Sequence, residues 1–166
     1  MPNTLTNCER LNFINQFEIL NNLKSDPHYK ICIEILKNGY TSEYKTVFQN
    51  LQSEVSDHIS KEVCKILNMY RSLIFFANKK NKKLLSKIEF DGFDVATEYD
   101  YWSYANFLLN TLNRFTEFKQ LDCDEDFNSH SSTLNGYRRQ LRVWSEYNEP
   151  NAEKMNNEIA LKILSA

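Results

Sequence analysis

Glu98 is the acidic residue of this sequence whose position best suits ligand binding or catalysis. It begins a helical row that continues through Trp102 and further apolar residues, so we expect its carboxylate to be buried. Burial raises the pKa of a carboxyl group, and a neighbouring guanidinium, for which Arg71 is the candidate, lowers it again. With Tyr101 and Tyr104, this pair would line a pocket for a small polar ligand. The alternative, which we favour, is that Glu98 is structural and satisfies polar groups at a helix end.

Other clusters in the sequence lack the complete spacing of a metal or nucleophile site. The acidic residues from Asp122 to Asp126 alternate as in a calcium loop, but Phe127 and Thr133 stand where that loop needs Gly and Glu. The three histidines are far apart, and no Gly-x-Ser-x-Gly elbow accompanies His130. We expect no metal, no cofactor and no catalytic residue, although distant side chains can still converge. The segment from Asp122 to Asp126 is interpreted as a solvated acidic loop.

Two groups of basic residues are weak candidates for nucleic-acid contacts. The formal net charge of −2 gives no global field that attracts DNA, RNA or an anionic membrane, so only local patches qualify. The candidates are Lys79, Lys80, Lys82 and Lys83 in one group and Arg138, Arg139 and Arg142 in the other. Lysines at the end of a helix also interact favourably with the negative end of its dipole, and Arg142 can pair with Glu146 one turn on. Nucleic-acid binding is therefore the third of our alternatives.

The composition predicts a folded helical protein. A chain of 166 residues has the usual size of one domain, and a hydrophobic content of 42% is too high for disorder. Three Gly and three Pro are too few for the turns of an all-β protein. Four widely spaced cysteines, the absence of a long apolar stretch and an N-terminus unlike a signal peptide favour a reduced, cytoplasmic protein without a membrane partner.

Several residues have the types and positions of helix caps. Thr6 and Glu9 form a capping box, which predicts that the first helix starts near residue 7. Asp26, followed by proline, ends this helix and opens the next, which Gly39 closes with a left-handed cap. Asp94 comes after a tight turn, and we expect it to be the N-cap of a helix rich in aromatic residues.

The longest predicted helix carries an apolar seam. From Ile59 to Ala77, apolar residues alternate spacings of four and three, which suits either a short coiled coil or packing within a bundle. Together with the aromatic helix, this seam offers more apolar surface than one core is expected to bury, so we expect a homo-oligomer, by default a dimer. The candidate interface residues are Ile66, Tyr70, Leu73, Tyr99, Trp102 and Tyr137.

A series of short motifs, in order along nearly the whole chain, resembles the YfbU family of uncharacterised bacterial helical proteins. The motifs are Glu9-Arg10-Leu11, Asn15-Gln16-Phe17, Gly39-Tyr40, Met69-Tyr70-Arg71 with Leu73, Gly92-Phe93-Asp94, Ala96-Thr97-Glu98 with Tyr101, Tyr104 and Phe107, Tyr137 with Leu141 and Trp144, and Glu158-Ile159 with Ile163 and Ala166. The resemblance implies an all-helical fold and a family without an established reaction, so it supplies no catalytic residues. The stretches 79–83 and 122–126 depart from the family pattern.

The sequence therefore predicts an all-α, single-domain bundle of about six to eight helices, with one long central helix, over residues 1–166. We expect a non-enzymatic binding or regulatory module that associates with itself, an unknown protein partner being a further option. The alternative is a small-molecule enzyme that uses the pocket of Glu98, Arg71 and tyrosines.

Overall fold

The computed structural model describes residues 4–166, and helices account for most of them. The helices are α1 (Asn7–Lys24), α2 (Pro27–Asn38), α3 (Tyr44–Val47), α4 (Asp57–Lys80), α5 (Lys82–Leu85), α6 (Tyr99–Asn106), α7 (Leu134–Glu146) and α8 (Asn157–Leu164). Residues Thr41–Glu43 and Thr116–Gln120 form 3₁₀ turns, and a π-helical turn, Phe107–Thr111, follows α6. Within the described chain, β pairing is limited to one isolated parallel bridge between Phe93 and Asn128. The predicted all-α fold is confirmed.

Three caps of α1 and α2 are those that the sequence predicts. The Thr6 hydroxyl accepts a hydrogen bond from the Glu9 backbone N–H at 3.3 Å, and the Thr6 N–H donates to the Glu9 carboxylate at 2.8 Å. Asp26 accepts from the backbone N–H of His28 at 2.9 Å, and Gly39 ends α2 with a φ of 67°. These three predicted caps are confirmed.

The chain divides into two compact units, Met1–Glu54 and Val55–Ala166, the first being described from residue 4. In the N-terminal unit, α1 and α2 pack against each other around a small core. Its buried residues are Ile14, Cys32, Ile35, Leu36, Tyr44, Val47 and Phe48. Compactness does not measure independent folding, so the expected single domain over residues 1–166 stays a prediction.

The C-terminal unit is built around α4. This helix buries ten side chains and packs against α5, α6, α7 and the turn Thr116–Gln120, so it is the long central helix that the sequence predicts. Beside it lies a group of aromatic rings. The ring centroid of Phe90 lies 5.1 Å from that of Tyr70, 5.0 Å from that of Phe118 and 5.5 Å from that of Tyr137. Edge and stacked aromatic contacts at these distances add to the energy of burial.

The sequence predicts that Asp94 is the N-cap of the aromatic helix, and this prediction is wrong. Helix α6 begins at Tyr99, with Glu98 in the N-cap position. The Asp94 carboxylate does accept from the backbone N–H groups of Ala96 and Thr97, at 3.2 and 3.1 Å, but these bonds close a separate turn before the helix. Short polar side chains cap such turns as readily as helices, and the sequence does not distinguish the two.

Most of the candidate interface lies inside the C-terminal unit, which corrects the expectation of an exposed seam. Ile66, Tyr70, Leu73 and Tyr137 belong to the core of this unit and are at most 5% exposed. Trp102 is half-buried, with its indole N–H donating to the Asp126 carbonyl at 2.8 Å. Of the six candidates, Tyr99 alone is an exposed large side chain.

Candidate functional site

A close backbone contact next to Gly92 positions the residues around Glu98. The Phe93 N–H donates to the Phe127 carbonyl at 3.0 Å, and the Ser129 N–H donates back to the Phe93 carbonyl at 3.3 Å. The Gly92 carbonyl then accepts from the Thr133 hydroxyl at 2.7 Å and from the Tyr137 phenol at 3.0 Å. The start of α7 is thus fixed against the segment that precedes α6.

Glu98 connects this segment to the first residues of α7. Its carboxylate accepts from the Leu134 N–H at 3.0 Å, from the Thr133 N–H at 3.3 Å, from the Asp94 N–H at 3.3 Å and from the Ser132 hydroxyl. Burial raises the pKa of Glu98, but these hydrogen bonds outweigh it, and the net pKa lies below the ordinary value of 4.5. The carboxylate is therefore held ionised at a helix start, where negative charge is favourable.

Arg71 has a different partner from the one that the predicted pocket requires. Its Nε donates to the Glu117 carboxylate at 2.5 Å, and its guanidinium lies 4.0 Å from the centre of the Phe115 ring. Glu117 is 7% exposed, so this pair is buried at its acidic end. The contacts of Arg71 and Glu98 do not assemble them into one pocket, and those of Glu98 have the geometry of the structural alternative.

The two tyrosines of the predicted pocket, like Arg71, contact other groups instead. The Tyr101 phenol donates to Glu62 at 2.6 Å, and burial together with this carboxylate raises the pKa of Tyr101 to about 12. Arg138 donates twice to Glu62, at 2.8 and 3.0 Å, and once to the Tyr101 oxygen at 3.2 Å. Tyr104 is half-buried, and burial, followed by Cys64, raises its pKa. These contacts are typical of a structural network.

The candidate nucleic-acid contacts differ in whether their side chains are bound to other groups of the protein. Lys79, Lys80, Lys82 and Lys83 are exposed, and Lys80 donates to the Glu153 carbonyl at 3.0 Å. The guanidinium of Arg138 forms a salt bridge with Glu62, and that of Arg139 donates to the Ala166 carbonyl at 2.6 Å. Arg142 is exposed, and among residues 4–166 no carboxylate, including that of Glu146, lies within ion-pair distance of it. The expected pair between Arg142 and Glu146 is thus not formed.

Sequence reasoning missed the acidic partners Glu62 and Glu117, which lie 76 and 46 residues from the arginines that they bind. It also missed a pair in α2, where His28 Nε2 is 3.4 Å from Cys32 Sγ. A spacing of four residues on a helix signals this contact. Cys32 is fully buried and burial raises its pKa, so the thiol is not an activated nucleophile. Across the described residues, no three His, Cys, Asp or Glu side chains are placed to hold a metal ion.

Comparison with known proteins identifies the family of this chain. The family model of the YfbU domain matches residues 3–166. The chain belongs to the YfbU family. Among its relatives, the UPF0304 protein MJECS11 of Methanocaldococcus jannaschii is 30% identical over 169 residues, which cover 98% of this chain and 99% of the relative. The YfbU match confirms the resemblance seen in the sequence motifs. None of the helices in residues 4–166 of this YfbU chain has the length and apolar character needed to cross a bilayer.

Proposed function

We propose that this protein is a non-enzymatic, cytoplasmic binding module that acts as a homodimer, in which α1 of one copy packs against α1 of a second copy. The observation that carries the proposal is the composition of the outer face of α1. This helix has eighteen residues and buries one of them, Ile14. Packing usually supplies most of the stability of a helix, so a helix that buries so little is a poor fit to a protein that acts alone.

The outer face of α1 contains a ridge of residues spaced by four. Its members are Leu11, Asn15, Ile19 and Leu23, and the three apolar ones are 57%, 60% and 75% exposed. Residues spaced by four form a continuous ridge that packs into the groove of a facing helix. Exposed apolar side chains that form a contiguous patch mark interaction sites in soluble proteins.

The chemistry of this ridge suits a second copy of the same chain. None of its four residues is charged, and Glu18 beside it is already paired with Lys37 at 3.0 Å. A charged face repels its own copy, whereas this uncharged ridge does not. Its first and last residues, Leu11 and Leu23, are of the same type. An antiparallel twofold would place Leu11 of one copy against Leu23 of the other.

One further observation weakens the enzyme alternative, and another supports the cytoplasmic location. The enzyme alternative depends on a pocket shared by Arg71 and Glu98, but these residues have other partners in the C-terminal unit. All four cysteines are free, which suits a reducing compartment.

Analytical ultracentrifugation of the full chain tests the dimer. We expect a monomer–dimer equilibrium at micromolar concentration, and Leu23→Glu should weaken the dimer by about tenfold or more because a buried leucine is lost and a charge is desolvated. The matched control is Leu161→Glu, which changes another exposed leucine, on α8, and should leave the equilibrium unchanged. A wild-type chain that remains monomeric up to the highest soluble concentration would overturn the proposal.

A charge pair tests the antiparallel arrangement. Leu11→Lys and Leu23→Glu should each weaken the dimer, whereas the chain with both changes would bring opposite charges together across the twofold and regain part of the affinity. If the double variant is weaker than either single variant, the antiparallel register is wrong. Equal weakening by Leu161→Glu would show that association is non-specific.

A further inference from the structure

The C-terminal unit contains a groove between α4 and α7 that is rich in basic side chains. One wall carries His58, Lys61 and Lys65 of α4, and the other carries Arg138 and Arg142 of α7, with Ser145 one turn further. The spacings of three and four place each set on one face of its helix. Glu62 is the one acidic residue of the lining, and the groove has a volume of about 360 Å³.

The ion pairs in this groove leave usable positive charge. Glu62 is held by Arg138, which lowers the pKa of Glu62 and keeps that pair ionised. The pair of Lys61 with Asp57 is largely exposed, at 76% and 78%, and exposed pairs contribute little to stability, so an anion can replace Asp57 at small cost. Arg142 lines the groove without a carboxylate partner among the described residues.

Basic and hydroxyl side chains of different kinds line the same groove. Lys65 donates to the Ser145 hydroxyl at 3.3 Å and is also paired with Glu149, so both side chains are held at the edge of the groove. Arg142 offers a planar set of N–H donors, and Lys61 offers a point charge from the opposite wall. A tetrahedral dianion uses such donors from several directions, whereas a carboxylate needs a single planar set.

From this arrangement we propose that the groove between α4 and α7 binds a phosphate group of a small phosphorylated molecule, with Arg142 and Lys61 as its principal ligands. The volume is at the lower end of the range of small-molecule sites. A nucleic acid is a poorer fit because the formal net charge is −2 and the lining contains no Phe, Tyr or Trp on which a base can stack.

Titration of the ¹⁵N-labelled full chain with inorganic pyrophosphate at constant ionic strength tests the site by NMR. We expect saturable shifts of amides near residues 58–65 and 138–145, with a dissociation constant in the millimolar range or tighter. Arg142→Gln should weaken binding by about tenfold or more, because a charge-assisted hydrogen bond is lost, and Lys61→Gln should weaken it in the same direction.

The matched control is Arg139→Gln, which removes a neighbouring arginine of α7 that lines a different cleft. This variant should bind pyrophosphate as the wild type does. Equal weakening by Arg139→Gln, or shifts that never saturate, would reduce the effect to non-specific charge and overturn the site. Binding of duplex DNA that depends on the lysines of residues 79–83 and not on Arg142 would overturn it in favour of a nucleic-acid surface.

Discussion

Gly92 lies against the backbone of Phe127 so closely that a β-carbon at residue 92 would be 1.9 Å from the Phe127 carbonyl oxygen. Its φ of 83° is also in the left-handed region, which side chains disfavour. Both constraints act at the same point, where the segment before α6 meets the segment before α7. A residue without a side chain is therefore required there.

Gly92→Ala should lower the free energy of unfolding by about 3 kcal/mol or more, since the new methyl group must displace backbone and the conformation itself is strained. Urea unfolding followed by circular dichroism measures this loss. The matched control is Gly136→Ala in α7, where the nearest foreign atom is 3.8 Å from the new β-carbon. There, the same substitution should stabilise the protein by about 0.5–1 kcal/mol. Equal effects at the two glycines would contradict the close approach of Gly92 to Phe127.

Glu98 should contribute a pH-dependent part of the stability. Its pKa is lower in the folded protein than the ordinary 4.5, so its contribution is present above that value and is lost as the pH falls through the lower folded pKa. Glu98→Gln should therefore cost about 1.5–3 kcal/mol at neutral pH, and the cost should shrink in acid. Urea unfolding of both proteins over a pH series measures the difference. A cost independent of pH would mean that the charge of Glu98 is irrelevant.

Asp94 should matter through its hydrogen bonds to the turn rather than through its charge. The carboxylate accepts from the Thr97 hydroxyl at 2.6 Å and from two backbone N–H groups. Asp94→Ala should lower the thermal midpoint, and Asp94→Asn, which keeps the oxygen that accepts from Thr97 but not the one that accepts from Ala96, should restore part of it. If Asp94→Asn is as unstable as Asp94→Ala, the charge and not the hydrogen bonding is what stabilises the turn.

Most local features of the sequence predicted local structure correctly, and the expected N-cap at Asp94 is the exception. The bonds of Thr6 with Glu9 and the left-handed Gly39 depend on residues within one helical turn, and both were correct. The apolar period of α4 likewise showed that one face is buried. It did not show what covers that face, because periodicity contains no information about the partner. From the sequence, Tyr70 could equally be covered by a second copy of the chain or by another part of the same chain. In the structure, the ring of Phe90 packs against it.

The candidate site was less predictable because its contacts join distant parts of the chain. Glu62 and Arg138, or Arg71 and Glu117, carry no signal of their pairing in a single sequence. The expected pocket joined Arg71 to Glu98 on charge alone. The favoured alternative for Glu98, a structural role at a helix end, needed only the assumption that a buried carboxylate finds donors.

The buried tyrosines should resist ionisation until the protein unfolds. Burial raises the pKa of Tyr70 and Tyr137 above the ordinary 10, and that of Tyr101 to about 12. A raised folded pKa stabilises the protein below the unfolded value, and this contribution is lost as the pH rises. The ultraviolet absorbance of phenolate should therefore rise in two phases, the second together with loss of helical circular dichroism. A single phase that ends before unfolding would contradict the burial of these phenols.

The ion pair of Arg71 and Glu117 should be energetically coupled, unlike the exposed pairs. Arg71→Met leaves a carboxylate that is 7% exposed without its cation, which should cost about 3 kcal/mol. Glu117→Gln removes that charge, so the double variant should be less destabilised than the sum of the single variants, with a coupling energy of about 1–3 kcal/mol. The matched control is Lys61→Met, which removes a cation from an exposed pair and should change the unfolding free energy little. Additive effects of Arg71→Met and Glu117→Gln would show that Arg71 acts by covering the Phe115 ring and not by neutralising Glu117.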